Sequence, residues 1–444
     1  MHHFILFLVL ILNTFPLSGQ CWKQISGGSL HSFAATPNNR LWAWGDNALG
    51  QLGKNYNFQV FSPVLIDIGP DWAGIDANYG NSAAIKTDGY LYIWGSNNRG
   101  QLGIGPDGPD FVKVPTLVNL AKWTQVSIGN EHVLGIQTDG SLWAWGSNTF
   151  GELGNGTQTP SDHPIQIGSD KDWKAISAGD HFCLAIKKDS SLWAWGNNLV
   201  GQLGDSSYLN RNVPIPIRKD KKWKQVDAGY RHALAIDESG KLWSWGEGAI
   251  GSNPTWPPYP STPVLIDSIK LWQKVCAGNN ISLALDDAHA LWSWGFNNSG
   301  QIGQDNTWQD IATGSNHFLA IDQSGDLWTW GFNVQGQLGQ GNTLDLSTPT
   351  KVNCPYTDAH VLSAKAPAVQ LFPSPTKDAL YLQLFDNQTR AIKYNIINAQ
   401  GAEVMPCQVL MPDVSIDVTD LGPGVYFLQL QLGDQRLIRK FVKM

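Results

Sequence analysis

The chain has 444 residues, of which 42% are hydrophobic and only 15% charged, so it is a core-forming sequence and not a disordered one. Its net charge of −7 excludes a nucleic-acid surface, which needs clustered Lys and Arg. The one basic run, Lys219, Lys221, Lys222 and Lys224, stands before a repeat start and reads as a solvated turn.

In chain order, residues 1–20 read as an export signal. An apolar run from Phe4 to Leu12 is too short to span a bilayer, and small residues Ser18 and Gly19 follow it. Cleavage falls near Gly19 or Gln20. Cys21 invites lipidation, but Gln20 is a poor fit for the small residue that such processing expects. No transmembrane segment is read elsewhere. Cysteines at 21, 183, 276, 354 and 407 are too few for a disulfide scaffold, although export permits a bridge.

Residues 21–354 are governed by a repeat. Trp22, Trp72, Trp123, Trp173, Trp223, Trp272 and Trp308 open seven units. In each unit a second tryptophan stands 22 residues later in a Trp-Gly pair: Trp44, Trp94, Trp145, Trp195, Trp245, Trp294 and Trp330. Inside a unit, a short apolar run leads to a glycine, and two alternating segments then flank a tight turn, as in IQTDGSLWAWG at 136–146. Asp-Gly between alternating segments is a hairpin signal, because the turn needs positive φ. The glycine six residues after the opening Trp (Gly28, Gly129, Gly179, Gly229, Gly278, Gly314), replaced by Asn78 in unit 2, is read as a left-handed backbone position. A fourth extended piece follows, as in SPVLIDIG at 62–69. Four strands in each of seven units predict an all-β fold, a seven-bladed β-propeller.

The pattern WxxVxAGxxHxLAIxxxGxLWxWGxNxxGQLG, carried by WGSNNRGQLG (94–103) and WGFNVQGQLG (330–339), resembles the regulator of chromosome condensation repeat family. The resemblance covers about 22–352 and implies a seven-bladed propeller that acts mostly by protein–protein contact. Unit 5 departs from the pattern with EGAIGSNPTWPPYP, and unit 6 runs from GQIGQD directly into Trp308, losing about one strand.

Twenty of the 21 tryptophans fall at repeat positions and are read as packing between sheets. The exception is the loop NPTWPPYP (253–260), where Trp256 and Tyr259 have no repeat position to bury them. Rigid exposed aromatics favour recognition, so these two are the candidate ligand-binding residues; a proline-rich plug is the alternative.

Other motifs carry no chemistry. GIGPDG (103–108) fits a dinucleotide fingerprint, but no helix follows it. His31, His132, His232 and His317 stand nine residues after the opening Trp, where other units have Asn81, Phe182 and Ile281. A metal ligand is not interchangeable with Phe or Ile, so each is read as a structural hydrogen bond. No catalytic motif, metal site or cofactor is read.

Residues 355–369 read as a linker and 370–444 as a small β-sandwich. This tail resembles the C-terminal sorting domain of type IX secretion cargo. Pro373 and Pro375 stand in its entry motif, Gly401 in a hairpin, Leu421, Gly424 and Tyr426 in LGPGVYFLQL, and Lys440 in the terminal RKFVKM; Ser374 replaces the usual Asn. The resemblance implies contact with the secretion machinery, passage across the outer membrane, and release or surface attachment.

Aligning the propeller ends on the loop before Trp72 matches Cys354 to Ile68 and Cys21 to Asp71, within disulfide reach if that loop turns. A Cys21–Cys354 bridge is therefore expected, with Cys183 and Cys276 as buried thiols. The function expected is a secreted or outer-surface interaction or adhesion module for an extracellular protein or glycan. An extracellular hydrolase or lyase at the channel mouth is the alternative, and a surface-layer component is a third reading.

Overall fold

A computed structural model describes residues 21–66, 69, 71–248, 259–279, 281–295, 307–354, 369–372, 376–384, 392–410, 415–432 and 435–444. The described residues contain strands and no helix. Between Gln24 and Lys351 they form seven antiparallel sheets in sequence order, six of four strands and one of three. The inner strand of blade 1, Gln24–Gly27, neighbours those of blade 2, Trp72–Asn78, and blade 7, Trp308–Thr313. The sheets therefore close into a ring, and every blade is built from consecutive strands.

Indoles fill the wedges between blades. All seven opening tryptophans are buried, as are six of the Trp-Gly tryptophans. Trp72, for example, packs with Leu41 and Ala43 of blade 1 and with Ala84 and Trp94 of its own blade. The Trp-Gly indole also ties neighbours together. Trp94 Nε1 donates to the Gln51 carbonyl of blade 1 at 2.8 Å, and Trp145, Trp195 and Trp245 repeat this with Gln101, Glu152 and Gln202. Trp44 closes the circle on Gln337 of blade 7. Gly53, Gly103, Gly154, Gly204 and Gly339 stand where a Cβ would press on these indole nitrogens.

The four histidines belong to the same joints. His31 Nε2 meets Ser82 Oγ of blade 2 at 3.0 Å, and that hydroxyl donates to the Gln51 carbonyl at 2.8 Å. The serine proton is committed, so the histidine must carry its proton on Nε2 and donate it. His132 meets Cys183, His232 meets Ser282 and His317 meets Ser32 in the same way.

The repeated glycines have a different cause from the one read in the sequence. None of the six adopts a positive φ. A Cβ on Gly28, Gly129, Gly179 or Gly314 would instead collide with the ring of His31, His132, Phe182 or His317. Blade 2 has Asn81 in place of the ring, and there the side chain of Asn78 is accommodated. Positive φ occurs at the hairpin turns, where Gly89, Gly140, Gly240 and Gly325 alternate with Asn39, Ser190 and His289.

Blade 6 departs from the others. Its sheet holds Trp272–Ala277, Ile281–Asp286 and Leu291–Gly295, with no fourth strand among the described residues. Trp292 is consequently 42% exposed, whereas Trp42 at the same position of blade 1 is fully buried. The indoles of this position are thus not uniformly packed inside.

Past residue 369, Val369–Phe372, Ala379–Leu384 and Ser415–Asp417 form one sheet, and Ile392–Asn398, Glu403–Leu410, Gly424–Leu432 and Gln435–Lys443 form another. They share a core of Leu380, Leu382, Ile392, Ile396, Ile416, Leu428 and Phe441.

Candidate functional site

The inner strands surround a central channel of about 260 Å³. The fourth residue after each opening Trp stands in its wall: Ser26, Asp76, Ser127, Ser177, Asp227, Cys276 and Ala312. Most of these side chains bolt one blade to the next. Ser26, Asp76, Ser127, Ser177 and Asp227 accept the backbone N–H of Ala77, Ile128, Ala178, Ala228 and Ala277 at 2.6–3.0 Å. Ser177 also donates to Asp227 at 2.9 Å, and the Cys276 thiol donates to the Ile311 carbonyl at 3.2 Å.

Burial disfavours the charged form here. It pushes Asp76 up to about 7, with Asp227 adding to the rise, and pushes Asp227 up to about 6. Lys274 is held protonated against its burial by the surrounding charges, Asp310 among them, with which it forms an ion pair. A hydrolytic site would need a carboxyl pair directed at substrate. Asp76 and Asp227 instead hold backbone amides of neighbouring blades, which is a structural use.

At one mouth of the channel lies a second ring, the seventh residue after each opening Trp: Ser29, Tyr79, Asn130, Asp180, Tyr230, Asn279 and Ser315. The backbone fixes most of them alike. The N–H of Ser29, Asn130, Asp180, Tyr230, Asn279 and Ser315 each donates to a carbonyl of the next blade at 3.1–3.3 Å. The fold thus presents four kinds of side chain from seven equivalent positions on one frame. Tyr79 Oη and Asn130 Nδ2 converge on Asp180 Oδ1 at 3.1 and 2.8 Å. Burial raises Asp180, and it raises the Tyr79 hydroxyl with help from the Asp180 charge. His181 is held above its usual value despite burial, because Glu152 and Asp180 lie 3.7 and 3.8 Å away.

The loops after the third strands rim this mouth. Leu49 lies over Gly80, Arg99 pairs with Glu131 at 3.3 Å, and the Phe150 ring meets His181 at 5.0 Å. Arg231 stacks over Tyr230 and pairs with Glu247 at 3.2 Å. Tyr259 joins this group, its hydroxyl 3.3 Å from Glu247 Oε1, while its carbonyl accepts from Tyr208 at 2.7 Å.

Of the residues singled out in the sequence, Trp256 lies outside the described residues and Tyr259 is half-buried at the rim. Cys21 and Cys354 are joined by a disulfide, their Cα atoms 6.0 Å apart; Cys183 and Cys276 are buried and unbridged. Pro373 and Pro375 lie outside the described residues. Gly401 turns a hairpin at φ 83°, and Leu421 is buried. Gly424 opens a strand in which the Tyr426 hydroxyl donates to the Gly422 carbonyl at 2.9 Å; Lys440 is exposed.

The mouth ring and the channel aspartates escaped sequence reading. A signal for the ring was present, since its position varies freely between a fixed glycine and a position that is mostly histidine.

Comparison with known proteins agrees with this architecture. The RCC1-like domain matches residues 11–310, single repeats of the regulator of chromosome condensation match 308–337 and 324–366, and the secretion system C-terminal sorting domain matches 370–444. The X-linked retinitis pigmentosa GTPase regulator homolog of Caenorhabditis elegans is 27% identical over 137 residues, 30% of this chain and 10% of that protein. The ultraviolet-B receptor UVR8 of Arabidopsis thaliana is 27% identical over 148 residues, 33% of this chain and 22% of the receptor. The chain therefore spans a small part of these relatives. Human WBSCR16 has a similar structure, with a TM-score of 0.52 at 20% identity over 76% of this chain and 82% of the other. Prp20p of Saccharomyces cerevisiae, whose binding to Gsp1p and histones is known, scores 0.52 at 21% identity over 78% of each chain. The sorting domain directs export by type IX secretion to the cell surface or the extracellular space. The chain belongs to the RCC1-like domain family and carries a type IX sorting domain behind its propeller.

Proposed function

We propose that the propeller is a protein-binding module that works outside the cell and recognises its partner with the ring of residues at the channel mouth. The observation that carries this reading is the ring itself. Equivalent positions hold Ser, Tyr, Asn, Asp, Tyr, Asn and Ser on one hydrogen-bonded frame. A position that varies in chemistry while its backbone is fixed is free to be chosen for a partner. Tyr79 and Tyr230 are half-exposed, and tyrosine loses little freedom on binding while offering both a face and a hydroxyl. Arg231, Phe150 and Tyr259 widen the surface to the rim.

The test is capture from culture medium on the immobilised protein, beside a Tyr79→Ala/Tyr230→Ala variant whose melting temperature is checked first. Proteins held by the parent and lost by the variant support the reading. Equal capture by both refutes it.

A further inference from the structure

The outer edge of blade 6 has an uncommon property: the same molecule displays six times what covers such an edge. In the other blades the third strand, Leu-(Trp/Tyr)-x-Trp-Gly, is paired by a fourth strand. Those strands carry Pro63-Val-Leu-Ile66, Pro115-Thr-Leu-Val118, Pro164-Ile-Gln-Ile167, Pro214-Ile-Pro-Ile217, Pro263-Val-Leu-Ile266 and Pro349-Thr-Lys-Val352. A single rule covers all six: proline, a β-branched residue, any residue, then Ile or Val. The geometry is equally regular. The residue after proline always pairs with the x of the third strand, as Val64 with Ala43, Ile165 with Ala144 and Thr350 with Thr329. The closing aliphatic then donates its N–H to the carbonyl of the leading leucine, as Ile66 to Leu41, Val118 to Leu91, Ile167 to Leu142 and Val352 to Leu327, at 2.8–3.0 Å.

Among the described residues, the third strand of blade 6, LWSWG at 291–295, has no fourth strand beside it. Only 14 residues separate Trp294 from Trp308, against 27–29 between the corresponding tryptophans of the other blades. Among the described residues the edge is touched by one isolated bridge, Ala290 with Thr307. The chain has 24 prolines, and none outside the six fourth strands begins this pattern. On that edge Trp292 is exposed, and Lys270 stacks over its indole.

We infer that the edge of blade 6 is a binding site for an extended peptide segment of a partner protein bearing Pro-(Val/Ile/Thr)-x-(Ile/Val), which pairs with Leu291, Ser293 and Gly295 as a fourth strand. Main-chain pairing supplies the attachment, and the alternate side chains supply selectivity. The site is separate from the channel mouth and stands without that reading.

The experiment adds a synthetic peptide of residues 158–168, QTPSDHPIQIG, to the intact protein and follows binding by calorimetry and by amide hydrogen exchange. One peptide per chain is expected, with slowed exchange in 291–295. A peptide N-methylated at the position of Ile167 lacks the N–H that reaches the leucine carbonyl and binds at least about tenfold more weakly. Absence of binding, protection elsewhere, or equal affinity of the methylated peptide overturns the inference. So does a stable dimer in which strand 291–295 is already protected, which would assign the edge to a second copy.

Discussion

Ser32 Oγ lies 2.8 Å from His317 Nε2, although 285 residues separate them. It is the joint at which the last blade meets the first, and three copies of it recur around the ring. Burial holds His31 and His317 down at about 3, and His132 and His232 at about 4. Each is therefore neutral in the folded protein at any ordinary pH.

Stability should fall on mild acidification. An unfolded histidine takes up its proton near pH 6.5, whereas the folded ones resist to about 3–4. Their contribution is complete above pH 6.5 and is lost as pH falls through that window, because the unfolded state then binds more protons. His317→Gln keeps an N–H donor and removes the titration. Melting temperature plotted against pH from 7 to 4 should fall less steeply for this variant than for the parent.

Asp76 acts in the opposite sense. Its folded value of about 7 lies above the ordinary carboxylate range, so it detracts from stability as pH rises from about 4 through 7. The side chain borders the channel, whose water tempers the cost. Asp76→Asn keeps an oxygen for the Ile128 N–H and removes the charge. It should stabilise the protein by about 1–2 kcal/mol at pH 8 and by about a third as much at pH 5, as read by denaturant unfolding at the two pH values.

The blades were legible because their marks repeat. Trp22 and its six counterparts stand 22 residues before a Trp-Gly pair, and chance does not hold such a spacing. Gly28 was legible as a fixed residue but not for its reason, since His31 is only three positions away and nothing in the string says that its ring folds back. Asp76 and Asp227 were hidden differently. Their position holds Ser, Cys or Ala in the other blades, and only stacking the blades shows that it meets the amide of the next one.

The glycine and the ring of one blade should behave as a unit. A Cβ on Gly28 meets His31 ring atoms before anything else. Gly28→Ala should cost about 3 kcal/mol, a typical overpacking loss in a rigid core. Blade 2 shows the relaxed solution, with Asn78 and Asn81 together. Gly28→Ala combined with His31→Asn should accordingly be more stable than Gly28→Ala alone, even though the bond to Ser82 is lost. A double-mutant cycle by chemical denaturation measures the coupling.

Ring closure depends on a covalent link more than the strand pattern suggests. Blade 1 is made wholly from residues after Cys21 and blade 7 wholly from residues before Cys354, so no strand from one end completes a blade at the other. The seam holds by packing, by the Trp44 and Ser32 bonds to the Gln337 carbonyl, and by the disulfide. The bridge spans 333 positions and removes much freedom from the unfolded chain. Replacing both cysteines by serine should lower stability by about 4 kcal/mol. The bridge also pins the seam in the folded protein, so amide exchange should accelerate first in Gln24–Gly27 and Leu346–Lys351. Uniform acceleration across all blades would instead show that the bridge acts on the unfolded chain alone.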